Sequence, residues 1–360
     1  MINVIYGFIA LSLLILVHEL GHFIVARLAN VKILTFSLGF GKKLFTFKKG
    51  ETEYALSLVP IGGYVKLLGD SLEEDIADED IPRSYVHKPP WVKILIAVTG
   101  PLFNILFAFV IFYFVFISGF SVPSTKVGGV EEWSPAYEAG ILVGDVIESI
   151  DGKLVQEFDD LLEVMSKASA GPLGFTIRRG DHVFNLTITP KEIEAKNLFG
   201  ETITRKIIGV RSSTDLVKKQ ETLLGAVPKA SYQTWYLSKV TILGLVKLIQ
   251  GTISPKNVGG PILILQAAGK QAREGAANLI YFIGIISINL GVVNLMPIPI
   301  LDGGHIMMHA AEMVTRRRLS TKAIDIAQKI GLGIIIVIMV FAFYNDLDRI
   351  FNFSRLLGGK

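Results

Sequence analysis

The sixteen residues from Ile2 to Val17 carry no charge. Carried on to Leu28, that run as a helix is long enough to cross the roughly 30 Å apolar core of a bilayer. Three further stretches have the same character: Ile94 to Phe120, uncharged throughout, Leu279 to Met296, and the shorter Ile330 to Leu347. In lipid every backbone amide needs a partner within its own segment. The chain therefore reads as a polytopic α-helical membrane protein with four transmembrane helices. No basic stretch precedes the first run and no convincing cleavage site follows it, so it reads as a retained span.

Composition agrees with this reading. Hydrophobic residues make up 51% of the 360-residue chain and the mean hydropathy is +0.50. Charged residues make up 19%, against about 25% in an ordinary soluble protein. The formal net charge is only +4. No basic patch with interleaved aromatics is present, so a nucleic-acid partner is not expected. The absence of cysteine excludes a disulfide framework, a thiol nucleophile and a thiolate metal site. Any metal must be held by His, Asp or Glu.

Basic residues suggest an orientation. Lys32, Lys42, Lys43, Lys48, Lys49, Lys66, Arg83 and Lys88 lie between the first two spans, and Arg316, Arg317, Arg318, Lys322 and Lys329 between the last two. The positive-inside rule puts both loops in the cytoplasm; the short Arg316 loop carries most of the weight. Both termini and the long segment from Ser121 to about Ala277 then lie on the far side.

Four regions are expected. Residues 1–120 form an N-terminal membrane core. Within it Leu34–Phe47 and Glu53–Leu67 alternate apolar and polar residues and read as β-hairpins beside the membrane. The acidic run Glu73 to Asp80 reads as a solvated loop. Residues 121–212 form a compact α+β domain on the far side. Its signals are a capped short helix at Ser134–Gly140, an Asp151-Gly152 turn, a helix at Phe158–Ala168 and a hairpin around Gly180-Asp181. Residues 213–276 contain an amphipathic segment, Leu223–Gln250. Lys229, Lys239 and Lys247 interrupt it, which suggests a helix lying on the membrane surface. Residues 277–360 form a C-terminal membrane core.

The first span ends in His18-Glu19-Leu20-Gly21-His22. In a helix His18 and His22 stack on one face. Two imidazoles so placed can grip one metal ion, with Glu19 beside them as general base toward a bound water. A pair of surface histidines would be the bland alternative, but an ionisable cluster in an apolar span is by default a functional site. A catalytic metal needs a third protein ligand. Asp302 is the candidate: Pro297 and Pro299 break the third span before it, and Gly303-Gly304 follow it. Asp302 could equally be a helix N-cap. His305 and His309, also four apart, offer a rival pair, but no acid sits beside them and they read better as a polar helix start. Asn289 and Asn294 could bond a neighbouring helix, or hold a substrate backbone and an oxyanion.

His18–His22 together with Asn294-Leu295-Met296-Pro297-Ile298-Pro299-Ile300-Leu301-Asp302-Gly303 resembles the paired signature of the site-2 proteases, intramembrane zinc metalloproteases. Gly39-Phe40-Gly41 and Gly62-Gly63-Tyr64-Val65-Lys66 are similar to the membrane-reentrant β-loop of the bacterial regulator-of-sigma-E protease branch. Ser134–Gly152 resembles the start of a bacterial PDZ domain. The resemblance implies Zn2+ held by His18, His22 and Asp302, Glu19 as catalytic base, and Asn294 near the substrate, with Asn289, Pro297, Pro299 and the two glycine loops as further candidate contacts. It also implies location in a bacterial inner membrane and cleavage of single-span membrane proteins, such as trimmed anti-sigma factors or remnant signal peptides. The chain has room for one PDZ-like domain, where well-known members carry two. Two other classes remain to be weighed: a non-enzymatic membrane scaffold presenting a PDZ domain, and a metal transporter. The backbone amides of Ala139–Leu142 are a candidate cradle for a peptide carboxylate.

Overall fold

The computed structural model describes residues 2–70, 76–168, 171–197 and 199–351. Residues 73–75 of the acidic run lie outside them; Asp78–Arg83 forms a 3-10 turn. The chain divides into two units, one of residues 1–115, 227–248 and 254–360, the other of 116–226 and 249–253.

The first unit is helical. It contains α1 (Ile2–Leu28), the hairpin β1 (Ile33–Lys49) and β2 (Thr52–Leu67), and most of α2 (Pro90–Ser118). Among the described residues four helices are long and apolar enough to cross a membrane: α1, α2, and two C-terminal helices, Ala276–Asn294 and Thr321–Phe351. The second expected span begins earlier than the uncharged stretch, at Pro90. Proline is well suited to the first turn of a helix, where its missing N–H has no intrahelical acceptor to lose. The fourth begins at Thr321, nine residues ahead of Ile330.

The β1–β2 hairpin is antiparallel and folds back on itself. Thr35 to Leu38 register with Lys66 to Gly63 on one side and with Glu53 to Leu56 on the other. Segment 63–67 is therefore an edge, paired on one side only among the described residues. The hairpin packs on the end of α1 around Phe23, Val31, Ile33 and Leu67.

The second unit is α+β. In chain order it has β3 (Phe120–Pro123), β4 (Val127–Val130), α3 (Pro135–Glu138), β5 (Val146–Ile150), β6 (Lys153–Leu154), α4 (Phe158–Lys167), β7 (Leu173–Arg179) and β8 (His182–Ile188). There follow β9 (Lys191–Lys196), β10 (Thr202–Ile207), β11 (Val210–Ser212) and β12 (Leu216–Lys219). A four-stranded sheet, order β6-β5-β7-β8, covers a core that includes Ile147, Ile150, Leu161, Met165, Phe175 and Ile177. The expected local signals are all present. Ser134 caps α3 through its Oγ, which accepts from the Tyr137 amide. Asp151 and Gly152 both adopt positive φ at the β5–β6 turn, as a tight hairpin requires. Strands β3 and β12 pair and bring the two ends of the insert together.

Returning to the first unit, α5 (Leu223–Ile249), α6 (Pro261–Glu274), α7 (Ala276–Asn294), α8 (Asp302–Thr315) and α9 (Thr321–Phe351) complete the chain. Helix α5 runs beside α7: Gln233 donates to the Tyr281 hydroxyl at 2.8 Å and Thr241 to Asn289 Oδ1 at 2.7 Å. Both pairs are 48 residues apart in sequence, so the two helices keep one register over two turns. Gln233 and Thr241 of α5 thus face a helix. Asp346 of α9 caps α6, accepting from the amides of Gly260, Ile262 and Leu263 at 3.0–3.1 Å. These are first-turn donors that have no intrahelical partner.

Candidate metal centre

His18 and His22 lie on one face of α1, and Asp302 is the first residue of α8. The Nε2 of His18 is 3.0 Å from Asp302 Oδ2, the Nε2 of His22 is 3.3 Å from Asp302 Oδ1, and the two Nε2 atoms are 3.3 Å apart. Corners of a tetrahedron with metal bonds of about 2.0–2.1 Å lie roughly 3.3 Å from each other. The donor set and its spacing thus fit one tetrahedral ion with its fourth position left to a non-protein ligand. Asp302 does not act as a helix cap: the N-cap position is Leu301, without a side-chain cap bond. It belongs to α8 rather than to the third span, so a separate element carries the third donor.

Helix α2 fixes the imidazoles. The Nδ1 of His22 donates to the Ile96 carbonyl at 2.7 Å, which leaves its Nε2 lone pair free for a metal. The Nδ1 of His18 is 3.1 Å from the side-chain amide of Asn104. Asn104 is fully buried, and its Oδ1 has no hydrogen-bond partner among the described residues. Gly100 lies between them. A Cβ there would press on His22 Nε2 and stand 2.6 Å from His22 Cε1 and 2.9 Å from His18 Cε1. Asn104 was missed by the sequence reading, which treated the second span as without polar residues of consequence. The available signal was one amide in an otherwise apolar run.

Glu19 points to the hairpin. A Cβ on Gly63 would lie 3.1 Å from Glu19 Cγ and 2.9 Å from the Ser37 carbonyl oxygen, so the edge segment of β2 passes close beside the carboxylate side chain. Asn294, the last residue of α7, reaches the cluster, with Nδ2 3.4 Å from His18 Nε2. Asn289 does not reach it. Its Oδ1 is taken by Thr241 of α5, the neighbour-helix alternative. Pro297 and Pro299 form the turn before α8; Pro299 packs toward Gly331 of α9, whose added Cβ would meet it at 3.3 Å. Gly39, Gly41 and Gly62 have positive φ in the hairpin, and the Phe40 ring stacks on Tyr64 with centroids 6.1 Å apart.

One member of the rival pair, His309, is committed elsewhere. His309 Nδ1 donates to Glu312 at 2.9 Å and its Nε2 meets the Tyr85 hydroxyl at 3.1 Å, so neither nitrogen is free for a metal. The proposed carboxylate cradle is also committed. The amides of Ala139, Gly140 and Ile141 donate to the carbonyls of Pro135, Tyr137 and Ala136, and that of Leu142 to Asp145. The largest cavity described in this unit, about 560 Å³, lies instead between α4 and β10 and is bordered by Gly209.

Two histidines and an aspartate converge among apolar helices with a glutamate adjacent, an arrangement that fits the donor set of a membrane metallohydrolase. Comparison with known proteins gives the family: residues 6–338 match Peptidase family M50, and the chain belongs to it. It is 36% identical over 345 residues to "Putative zinc metalloprotease Cj1068" of Campylobacter jejuni, covering 95% of this chain and 92% of that one. It is 33% identical to "Metalloprotease MmpA" of Caulobacter vibrioides, over 97% of this chain and 96% of that one. It is 36% identical to "Putative zinc metalloprotease CPE1693" of Clostridium perfringens, over 96% and 98%. Among solved structures it is similar to the PDZ domain of an SdrC-like protein from Listeria monocytogenes, at 18% identity over 26% of this chain and 90% of that one, with a TM-score of 0.21.

Proposed function

We propose that the chain is an intramembrane zinc metalloprotease that hydrolyses peptide bonds within the transmembrane segments of single-span membrane proteins, anti-sigma-factor-like or signal-peptide remnants among them. The observation that carries the reading is the convergence of His18, His22 and Asp302 beside Glu19 within apolar helices. Zinc held by those three residues would supply Lewis acidity and a bound water of lowered pKa.

The protein's own groups then have distinct tasks. Glu19 takes the proton of the attacking water and passes it to the leaving nitrogen. Asn294 donates its amide N–H to the oxygen of the scissile carbonyl. Asn104 holds the His18 ring. When His18 Nε2 is a ligand its Nδ1 carries the proton, and the Asn104 amide turned by half a rotation presents Oδ1 to accept it. The edge segment Gly63–Leu67 has a side with no strand partner among the described residues, beside Glu19. An unwound substrate added there as a strand regains the hydrogen bonds its helix loses. The α4–β10 cavity is the better candidate for a peptide contact in the PDZ-like unit, because the Ala139–Leu142 amides are already occupied. The inner membrane is the location the family resemblance implies, and the basic loops favour an orientation with both termini and this unit on the far side.

Glu19→Gln tests the assignment. Purified variant should keep its zinc and lose cleavage of a model single-span substrate, and cells carrying it should accumulate membrane stubs. Full cleavage by Glu19→Gln, or by metal-free wild type, would sink the reading.

A further inference from the structure

A second charged site lies where α2 and α9 begin. A cavity of about 430 Å³ is lined by Lys88, Lys93, Arg316, Arg317 and Arg318, with Glu312 the acid among its described lining residues. Glu312 is already engaged: its two oxygens accept from His309 Nδ1 and from the Leu319 amide. Lys93 is the telling residue. It is only 7% exposed, yet among the described residues its ammonium makes no hydrogen bond and no ion pair. Its specific neighbours are the face of the Tyr85 ring, 5.5 Å from the ring centroid, and the Glu312 carboxylate, which attracts it without an ion-pair contact. Among the described residues the side chains of Arg316, Arg317 and Arg318 are likewise without ion-pair partners. A basic loop in solvent needs no further account, but a buried ammonium is costly, and the acid nearest Lys93, Glu312, is shared with His309 and the Leu319 amide, so the cluster as a whole has room for an anion.

The surroundings indicate which kind. Lys93 is in the first turn of α2, and Arg318 comes three residues before α9; both helices are candidate spans. The cavity therefore sits at the depth of lipid headgroups. Lys88 and Pro89 also border a second cavity of about 520 Å³, lined by apolar side chains that include Val25, Leu28, Trp91 and Leu95. Basic and apolar compartments joined at Lys88–Pro89 match the two ends of one molecule. We propose that this is a binding site for an anionic phospholipid, its phosphate held by Lys93 and the Arg316–Arg318 cluster and an acyl chain lying along Trp91 and Leu95. Basic recesses at the cytoplasmic ends of spans suit such headgroups.

The test is native mass spectrometry of the full-length protein released from nanodiscs of equal phosphatidylglycerol and phosphatidylcholine. Wild type should retain phosphatidylglycerol selectively. Lys93→Met should lower that retention about fivefold, the effect of one surface cation. The exposed pair Arg317→Gln/Arg318→Gln should lower it further with an unchanged melting temperature, which keeps the test independent of Lys93→Met folding. Equal retention of both lipids by wild type, or selective retention unaltered in the arginine pair, would overturn the proposal. Displacement of the lipid by glycerol phosphate at equal concentration would overturn the assignment to a membrane lipid and make the ligand a soluble phosphate.

Discussion

Gly100→Ala is the sharpest probe of the site, because the one methyl group it adds meets both imidazoles at once. The new Cβ would stand 2.6 Å from His22 Cε1 and 2.9 Å from His18 Cε1, where 3.4 Å is ordinary contact. His22 must therefore retreat by about 0.8 Å and His18 by about 0.5 Å, the differences between those distances, or α1 and α2 must separate. Catalytic constellations tolerate about 0.5 Å, and a misplacement near 1 Å costs on the order of 100-fold in rate. In an unstrained helix interior the same change would stabilise by about 0.5–1 kcal/mol. Gly333 of α9, with nothing within 4 Å of its added Cβ, supplies the control. Zinc content, melting temperature and kcat/KM on a model substrate should be measured for both variants. Gly333→Ala should match or exceed wild-type stability with full activity. Gly100→Ala should bind zinc more weakly and lose about two orders of magnitude in kcat/KM. Wild-type zinc affinity and activity in Gly100→Ala would refute the claim that α2 backbone packing holds the imidazoles.

Further outcomes follow from other contacts. Asn104→Ala should weaken zinc binding by about 10–100-fold, the usual effect of removing a partner of a ligating imidazole, and Asn104→Asp should recover much of it; competition against a chelating dye reads both. Gly63→Val pushes a branched side chain toward Glu19 and the substrate edge, so cleavage should fall while zinc content stays unchanged. In the α+β unit, burial opposes ionisation of Asp145, but Arg179 and the Leu142 amide outweigh it and hold its carboxyl below the usual range. A depressed carboxyl contributes stability in full above its unfolded value of about 3.9 and loses it as pH falls through the lower folded value. Asp145→Asn should therefore be less stable than wild type at neutral pH, with the gap closing in acid, as followed by thermal melting.

The four spans were legible because length and absence of charge are strong signals that tertiary packing rarely overrides. Asp302 was legible as a break, with two prolines before it and two glycines after it, although a helix N-cap explained the acid as well until the missing third ligand was counted. Asn289 and Asn294 show the limit. Five residues apart in one helix, they carry the same sequence signal, yet one bonds Thr241 and the other reaches His18. Which neighbour an intramembrane amide meets is set by helix rotation, and α7 has no polar stripe to report it. The Asp346 cap of α6 is hidden for a related reason: its partners are 83–86 residues away in sequence. The Ala139–Leu142 turn was misjudged because free and occupied backbone amides look identical in a sequence.

The most instructive gap concerns α2. Its contacts with the histidines come from Ile96, Gly100 and Asn104, each four residues from the next, which is one face of a helix. Ascending this face meets His22 first and His18 last, so α1 and α2 lie antiparallel with the two imidazoles clasped between them. Two of the three contacts use a backbone carbonyl and the absence of a side chain, neither of which advertises a metal site. Residues that read as plain membrane filler thus orient two of the three donors. Asp302 comes from a different element, after a proline-broken connection. The centre has a rigid half set by the packing of α1 on α2 and a separate half whose position depends on how the Pro297–Leu301 turn seats α8. That division explains why the His-Glu-x-x-His run alone marks the location of the chemistry but does not complete it.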